Sequence, residues 1–257
     1  MNSNGKYFTK LERGSCGLEY FEINPNQEYL YDKKSFQPWH SFSRKLFKRK
    51  YVNVLEVGCG NGALIETIDA QYRAGLELDA KAASLIDKKL VDVNIIRLED
   101  YSNISINKEK FDVIFAFEVI EHFANPVDFI MSCKKLMKKG SILVGSTPNS
   151  TRWWVKLFKR EEFDSPPNHF VMFDRIQLER LFSDHGFKIE YLNAAFRYQS
   201  WRHVSYRVLS LFGKKFLSNK MALYFGLMIS IIFTPIFYLL NFLPDKYLHH
   251  GFVVIKE

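Results

Sequence analysis

Leu55-Glu56-Val57-Gly58-Cys59-Gly60-Asn61-Gly62-Ala63 is the stretch on which the reading of this sequence turns. An apolar run, Val52–Val57, passes directly into glycines at alternate positions, and Ala63–Ala70 then has the composition of a helix. Glycines at the end of a buried strand permit a tight turn and let a ligand approach the backbone at a helix N-terminus. Twenty-one residues beyond Glu56, a second apolar run ends in Leu76-Glu77-Leu78-Asp79. An acid at that separation can accept hydrogen bonds from ribose hydroxyls. A lone GxG would suit an empty turn equally well. Strand, glycines, helix, strand and acid in that order imply a bound nucleotide.

The alternation continues outward from this unit. Further strands are predicted at Arg73–Leu78, Val93–Arg97, Phe111–Phe117, Ser141–Ser146, Phe187–Leu192 and Gly251–Lys256. Helices are predicted at Ala63–Ala70, Ala80–Leu90, Val127–Lys138 and Arg175–His185 from apolar spacing and good helix formers. Lys138-Lys139-Gly140 and Gly186 supply the helix ends. Such a chain builds an α/β fold: a doubly wound, mostly parallel, seven-stranded sheet covered on both faces. Residues 51–196 would form this core and 1–50 an N-terminal cap or substrate region. Residues 197–248 would be an apolar helical insert, and 249–257 would return the final strand to the sheet.

Composition bounds the function. A chain of 257 residues with 47% hydrophobic and 25% charged residues can bury one substantial core. Cys16, Cys59 and Cys133 lie far apart without a CxxC pair, which argues against a disulfide framework or zinc ribbon and fits a reducing compartment. The polar start, MNSNGKYFTKLERGS, has no secretory pattern. A formal charge of +8 suits nucleic acid and anionic lipid alike, so charge alone does not choose.

The choice of nucleotide rests on a resemblance. A nicotinamide fingerprint would read GxGxxG, and the lysine of a phosphate-binding P-loop is absent. ExGxGxG after the first strand, with Glu77 ending the second, resembles motif I and the acidic position of class I S-adenosylmethionine-dependent methyltransferases. The similarity continues through Arg97-Leu98-Glu99-Asp100, through Phe111–His122, through Gly145-Ser146-Thr147-Pro148-Asn149 and through Asn168-His169-Phe170. Within that family the chain is most similar to ubiquinone-biosynthesis type O-methyltransferases and to related bacterial enzymes acting on glycans or small molecules. The resemblance implies a Rossmann-like fold with S-adenosylmethionine as cofactor. It places the backbone of Gly58, Gly60 and Gly62 against the methionine part, with Glu56 toward its amino end. Glu77, with Asp79 beyond it, would hold the ribose. Glu99 and Asp100 would lie beside the adenine, and Phe117-Glu118 would border both cofactor and substrate.

Glu118, Glu121 and His122 stand at i, i+3 and i+4, a common face if a helix begins near Glu118. With His169 arriving from a later loop, that face has mixed oxygen and imidazole ligands for a divalent cation. The EVIEH pattern with a downstream histidine is similar to that of small-RNA 2′-O-methyltransferases, which implies magnesium or manganese at the acceptor hydroxyl. Carboxylates in a first helical turn also serve the helix dipole. A metal-free site would use His122 or His169 as general base beside Glu118, since imidazole titrates near neutrality. Both readings stand at this point.

The ends of the chain add a second theme. Cys16-Gly17-Leu18-Glu19-Tyr20-Phe21 resembles the tail of a zinc ribbon, but the other ligands are missing and no zinc is expected. Tyr29, Tyr31, Phe36 and Trp39 would either cap the cofactor or pack an N-terminal helix. Residues 221–244 carry no charge. As a straight helix they would span about 36 Å, against a hydrocarbon core of roughly 30 Å. Pro235 interrupts that rod, and Trp201–Phe216 mixes apolar residues with cations as an interfacial helix does. If Gly251–Lys256 rejoins the sheet, the chain must return to the side it left. A monotopic helix pair or a re-entrant hairpin satisfies that, and a single crossing does not. The expectation is a peripheral protein on the cytoplasmic face of a membrane, its basic flank on anionic lipid. Its acceptor would be a small molecule that is lipidic or lipid-linked, such as a quinone precursor or a glycan on a polyprenyl carrier. The alternatives are an RNA 2′-O-methyltransferase, with nucleic acid the less favoured partner, and a non-catalytic membrane-bound protein retaining the fold.

Overall fold

The computed structural model describes residues 11–13, 19–21, 46, 49–151, 169–195 and 249–257. Two short strands, β1 (Leu11–Arg13) and β2 (Glu19–Phe21), pair antiparallel. Seven further strands form the main sheet: β3 (Tyr51–Val57), β4 (Ala70–Leu76), β5 (Asp92–Asn94), β6 (Phe111–Phe117), β7 (Met137–Pro148), β8 (Phe187–Ala195) and β9 (His249–Lys256). Their order is β5-β4-β3-β6-β7-β9-β8. The contacts from β5 across to β7 are parallel, and β9 is antiparallel to both of its neighbours. Six strands therefore point one way, and the expected seven-stranded, mostly parallel sheet is present. The last strand does rejoin it, two residues earlier than the sequence pattern indicated.

Side-chain alternation explains why the apolar runs are continuous. Val54, Val113, Phe115 and Val144 enter one buried cluster with Ile65 and Ile68. Their neighbours Leu55, Ile114, Ala116 and Leu143 enter the other, with Phe129, Phe182 and Phe252. Successive residues of a strand face opposite sides, so a sheet covered on both faces needs apolar residues at every position.

The helices are α1 (Ala80–Ala83), α2 (Leu98–Asn103), α3 (Pro126–Leu136) and α4 (Arg175–Asp184). Asn125 caps α3 by accepting from Val127 N at 3.2 Å, with Pro126 in the first turn. Asp174 and Gln177 form a reciprocal capping box on α4. Two predicted helices shrink. In Ala63–Ala70 only a 3-10 turn, Ile65–Thr67, survives. Ile65, Thr67 and Ile68 are β-branched and stiff, and β4 already pairs from Ala70 with Tyr51. In Ala80–Leu90, Asp87 accepts from Lys89 N at 2.9 Å, a local bond that competes with the helix. The third helix also ends sooner than predicted. Met137 pairs with Phe111 as the start of β7, and the register then shifts before Ile142, so Lys138-Lys139-Gly140 belongs to an irregular strand rather than to a helix end.

Residues 197–248 lie outside the described residues, and the insert expected there with them. Among the described residues no helix is long and apolar enough to cross a membrane.

Close packing is tightest at Gly145, which pairs with Ala116 on one side and Phe252 on the other. A Cβ there would strike the Ala116 carbonyl oxygen and the Phe252 ring. Gly145→Ala is expected to destabilise the fold by about 2–3 kcal/mol through overpacking, measured as a lowered urea midpoint with an unchanged slope.

Candidate active site

The glycine loop lies at the carboxyl end of β3. Gly58 N and Cys59 N both donate to Leu76 O, at 2.9 and 3.1 Å, and fasten the turn to the end of β4. Gly58 has φ +69°, and a Cβ on it would lie 2.8 Å from Val119 Cγ2. Gly60 is also left-handed, at φ +55°, but a Cβ there would meet nothing within 4 Å. The backbone at Gly60 therefore faces open space in a conformation that glycine adopts freely. Gly62 packs instead: a Cβ would come within 3.0 Å of both Glu66 and Ile86.

Glu77 holds this loop. The residue is 3% exposed, and its carboxylate accepts from Gly60 N at 2.7 Å, Leu78 N at 2.8 Å and Asp79 N at 2.9 Å. Asp79 in turn caps α1, accepting from Lys81 N at 2.8 Å. Glu56 is buried beneath the loop and accepts from Ile65 N at 3.0 Å. Burial pushes the Glu56 carboxyl well above its ordinary value; the Ile65 bond opposes that rise and the neighbouring Glu77 charge adds to it. Burial and the same two carboxylates also push the Cys59 thiol up. Glu99 and Asp100 occupy the first turn of α2, which follows β5 on the same edge of the sheet, with Asp100 exposed. Phe117 ends β6, half-buried, with its ring stacked near Phe115 at 6.2 Å and 14°.

The next segment departs from expectation. Glu118 takes φ +56°, and its N–H donates to Ser146 O at 2.9 Å. No helix begins there; the chain passes through a single 3-10 turn, Ile120–His122. The i, i+3, i+4 face predicted for Glu118, Glu121 and His122 does not form, because a left-handed residue cannot open a right-handed helix. Glu118 turns instead to β7 and β9. Its Oε1 accepts from Ser146 Oγ at 2.5 Å, and its Oε2 lies 2.8 Å from His249 Nδ1. Burial alone would raise the Glu118 carboxyl; His249 above all, then Ser146 and the charge of His169, bring it below its ordinary value.

Three of the four predicted cation ligands do meet. Ligand atoms of Glu121, His122 and His169 all lie within 4.8 Å of one another. The His122 and His169 rings meet edge to face at 5.1 Å. Glu121 is fully buried, and its carbonyl accepts from Phe170 N at 2.8 Å and Val171 N at 3.3 Å, which brings His169 to the turn. Ser146 stood in a motif of the resemblance without a role, and His249 and His250 escaped the sequence reading. His249 pairs with Pro148 and His250 with Thr147, at the carboxyl end of β7. The only signal was the His-His pair directly before the last apolar run, where the predicted strand had not yet begun.

A methyltransferase-domain family profile matches residues 26–192. The ubiquinone biosynthesis O-methyltransferase of Roseobacter denitrificans is 27% identical over 158 residues, covering 58% of each chain. The chain thus spans about three-fifths of that curated relative, 58% of its length. Among solved structures, an S-adenosylmethionine-dependent methyltransferase from Archaeoglobus fulgidus is similar at 18% identity and TM-score 0.53, covering 85% of this chain and 92% of its own. Another from Mesorhizobium loti is similar at 10% identity and TM-score 0.55, covering 85% and 98%. At such identities the likeness is one of fold.

The buried acid beneath the loop generates a pH prediction. A folded-state carboxyl raised above its unfolded value, roughly 4.3, contributes stability that is fully present below that value. The contribution is lost as pH rises through the folded pKa. Glu56→Gln keeps an oxygen for Ile65 N and removes the charge. In ligand-free protein it is expected to raise Tm at pH 8 by about 2–4 °C, the shift produced by about 1 kcal/mol in a domain of this size. At pH 4 it should leave Tm unchanged; calorimetric scans at the two pH values decide it.

Proposed function

The chain belongs to the methyltransferase-domain family, and on that premise we propose that it uses S-adenosylmethionine to O-methylate a lipidic or lipid-linked acceptor at a membrane surface. The observation that carries the cofactor is the open, left-handed backbone at Gly60, tied to the Glu77 carboxylate. The residues fit a cationic ligand. Two buried carboxylates, Glu56 and Glu77, repel one another beside the loop, and a sulfonium and ammonium group would relieve that repulsion. A dinucleotide pyrophosphate would aggravate it.

The backbone of Gly58, Gly60 and Gly62 and the Glu56 carboxyl would hold the methionine end. Glu77 would take a ribose hydroxyl: a carboxylate offers about four lone-pair sites, and three of its contacts here are backbone N–H groups. Asp79 would support that end, Glu99 and Asp100 would border the adenine, and Phe117 would separate cofactor from acceptor. When bound, S-adenosylmethionine supplies a methyl group already activated for transfer, so the protein's task is mainly alignment. His122 or His169 would accept the proton of the acceptor hydroxyl. One carboxylate and two imidazoles also fit a divalent cation, manganese better than the more oxygen-seeking magnesium. Glu121, His122 and His169 would hold it, and it would lower the pKa of the acceptor hydroxyl.

The acceptor class is argued from residues 197–248. That segment contains the uncharged stretch 221–244. The described residues that flank it, Ala195 and His249, are paired in the sheet, and His249 lies 2.8 Å from Glu118. An apolar segment entering and leaving beside the site suits an acceptor that partitions into a bilayer. A peripheral position on the cytoplasmic face follows from the same reasoning.

Calorimetry on detergent-solubilised protein is expected to show micromolar S-adenosylmethionine binding; no binding by folded protein would overturn the proposal. Glu77→Ala should weaken that binding at least tenfold, the loss of about 1.4 kcal/mol. His122→Ala should leave it unchanged while lowering turnover by roughly 100-fold or more, the scale of general-base catalysis. Tritiated methyl from the cofactor should enter a solubilised membrane-lipid extract, and incorporation abolished by ribonuclease would favour an RNA acceptor instead.

A further inference from the structure

We infer that His249 is a positioning residue for the acceptor side of the site: through its Nδ1 it fixes the carboxylate of Glu118, and with it the turn that presents Glu121 and His122. The inference rests on the methyltransferase function proposed for the chain. It concerns a residue from the far end of the chain, contributed by the final strand rather than by the glycine-loop half of the fold.

Three observations combine. The first is backbone geometry. Glu118 carries a Cβ in the left-handed region, at φ +56°, and such residues persist only where their surroundings over-determine them. The second is what surrounds it. Glu118 N–H donates to Ser146 O, its Oε1 accepts from Ser146 Oγ, and its Oε2 lies 2.8 Å from His249 Nδ1. A carboxylate oxygen at that distance favours the tautomer with the hydrogen on Nδ1. Ser146 grips the residue from β7 and His249 from β9, so the side chain is held from two strands. The third is burial. The His249 side chain is 10% exposed and that of Glu118 22%. A charge so placed is costly unless it is hydrogen-bonded, and the pair gains strength from the low local dielectric.

Fixing Glu118 also fixes the chain beyond it. The Ile120–His122 turn begins two residues later, and His122 N donates back to Val119 O at 3.0 Å. A Glu118 free to rotate would loosen that turn beside Phe117, where cofactor and acceptor would meet. His249 acts through Glu118 and does not itself touch the reacting atoms.

The test compares three variants of the full chain: His249→Leu, which fills the space without a donor; His249→Asn, which restores an N–H near the Nδ1 position; and Glu118→Gln. Transfer of tritiated methyl to the membrane-lipid extract is measured across cofactor concentrations. His249→Leu should lower kcat at least tenfold with the KM for S-adenosylmethionine unchanged, and His249→Asn should recover most of the loss. Adding Glu118→Gln to His249→Leu should cost little more than either alone. In parallel, nitrogen-15 NMR should show a slowly exchanging His249 Nδ1 proton that Glu118→Gln abolishes. Equal activity in His249→Leu and wild type would overturn the inference, as would equal loss in Leu and Asn variants that melt normally. If His249→Leu does not fold, absence of the Nδ1 proton signal in the wild type overturns it alone. Failure of the wild type to bind S-adenosylmethionine would be a separate result, striking the proposed function and leaving the Nδ1 signal to report on the pair.

Discussion

The carboxylate of Glu77 joins two loops that would otherwise be independent. It ends the second strand of the nucleotide unit, yet it receives the amide of Gly60 from the loop after the first. It also receives the amides of the two residues that lead into α1. Charge-assisted bonds to backbone amides are among the stronger hydrogen bonds in proteins, and burying a carboxylate without such partners is costly. The glycine loop can therefore stand open at Gly60, in a left-handed conformation, because an anion behind it anchors that amide. Glu56 lies close by as a second acid. Two buried acids side by side make positive charge favourable beside the loop.

Much of this was legible in the sequence because a doubly covered sheet leaves a simple trace. Strands buried on both faces must be apolar at every position, and Phe111–Phe117 coincides with the observed strand to the residue. The glycine and acid positions were legible for the same reason: few other residue types tolerate those geometries. Helices on the outside were harder. Ile65 and Ile68 have helical apolar spacing, but they are buried from a short turn, and periodicity does not distinguish the two. Glu118 shows the deeper limit. Its spacing from Glu121 and His122 has meaning only on a helix, and one left-handed residue removes the helix. The same spacing still delivered Glu121 and His122 to His169, through a route that the pattern did not describe. His249 was invisible because its partner is over a hundred residues away in sequence and adjacent only through the antiparallel register of β7 and β9.

The site is thus divided between two kinds of support. The cofactor side is built from consecutive elements, β3, β4 and their loops, whose contacts are local. The proposed acceptor side draws on distant ones: the turn after β6, the end of β7, the segment at His169 and the start of β9. Local contacts tolerate drift elsewhere in the chain, whereas distant ones require the whole sheet to be in register. On the proposed function, recognition of cofactor and of acceptor would rest on these two kinds of contact.

The pairing of Ala195 with His249 has a consequence for chain length. Because the sheet itself closes the ends of residues 196–248, the separation of those ends does not depend on how many residues lie between them. The entropy of closing a longer loop grows only logarithmically. Sequence there can be lengthened, trimmed or exchanged by recombination without moving a strand out of register. The sheet thus holds a fixed point of attachment for whatever length of chain joins Ala195 to His249.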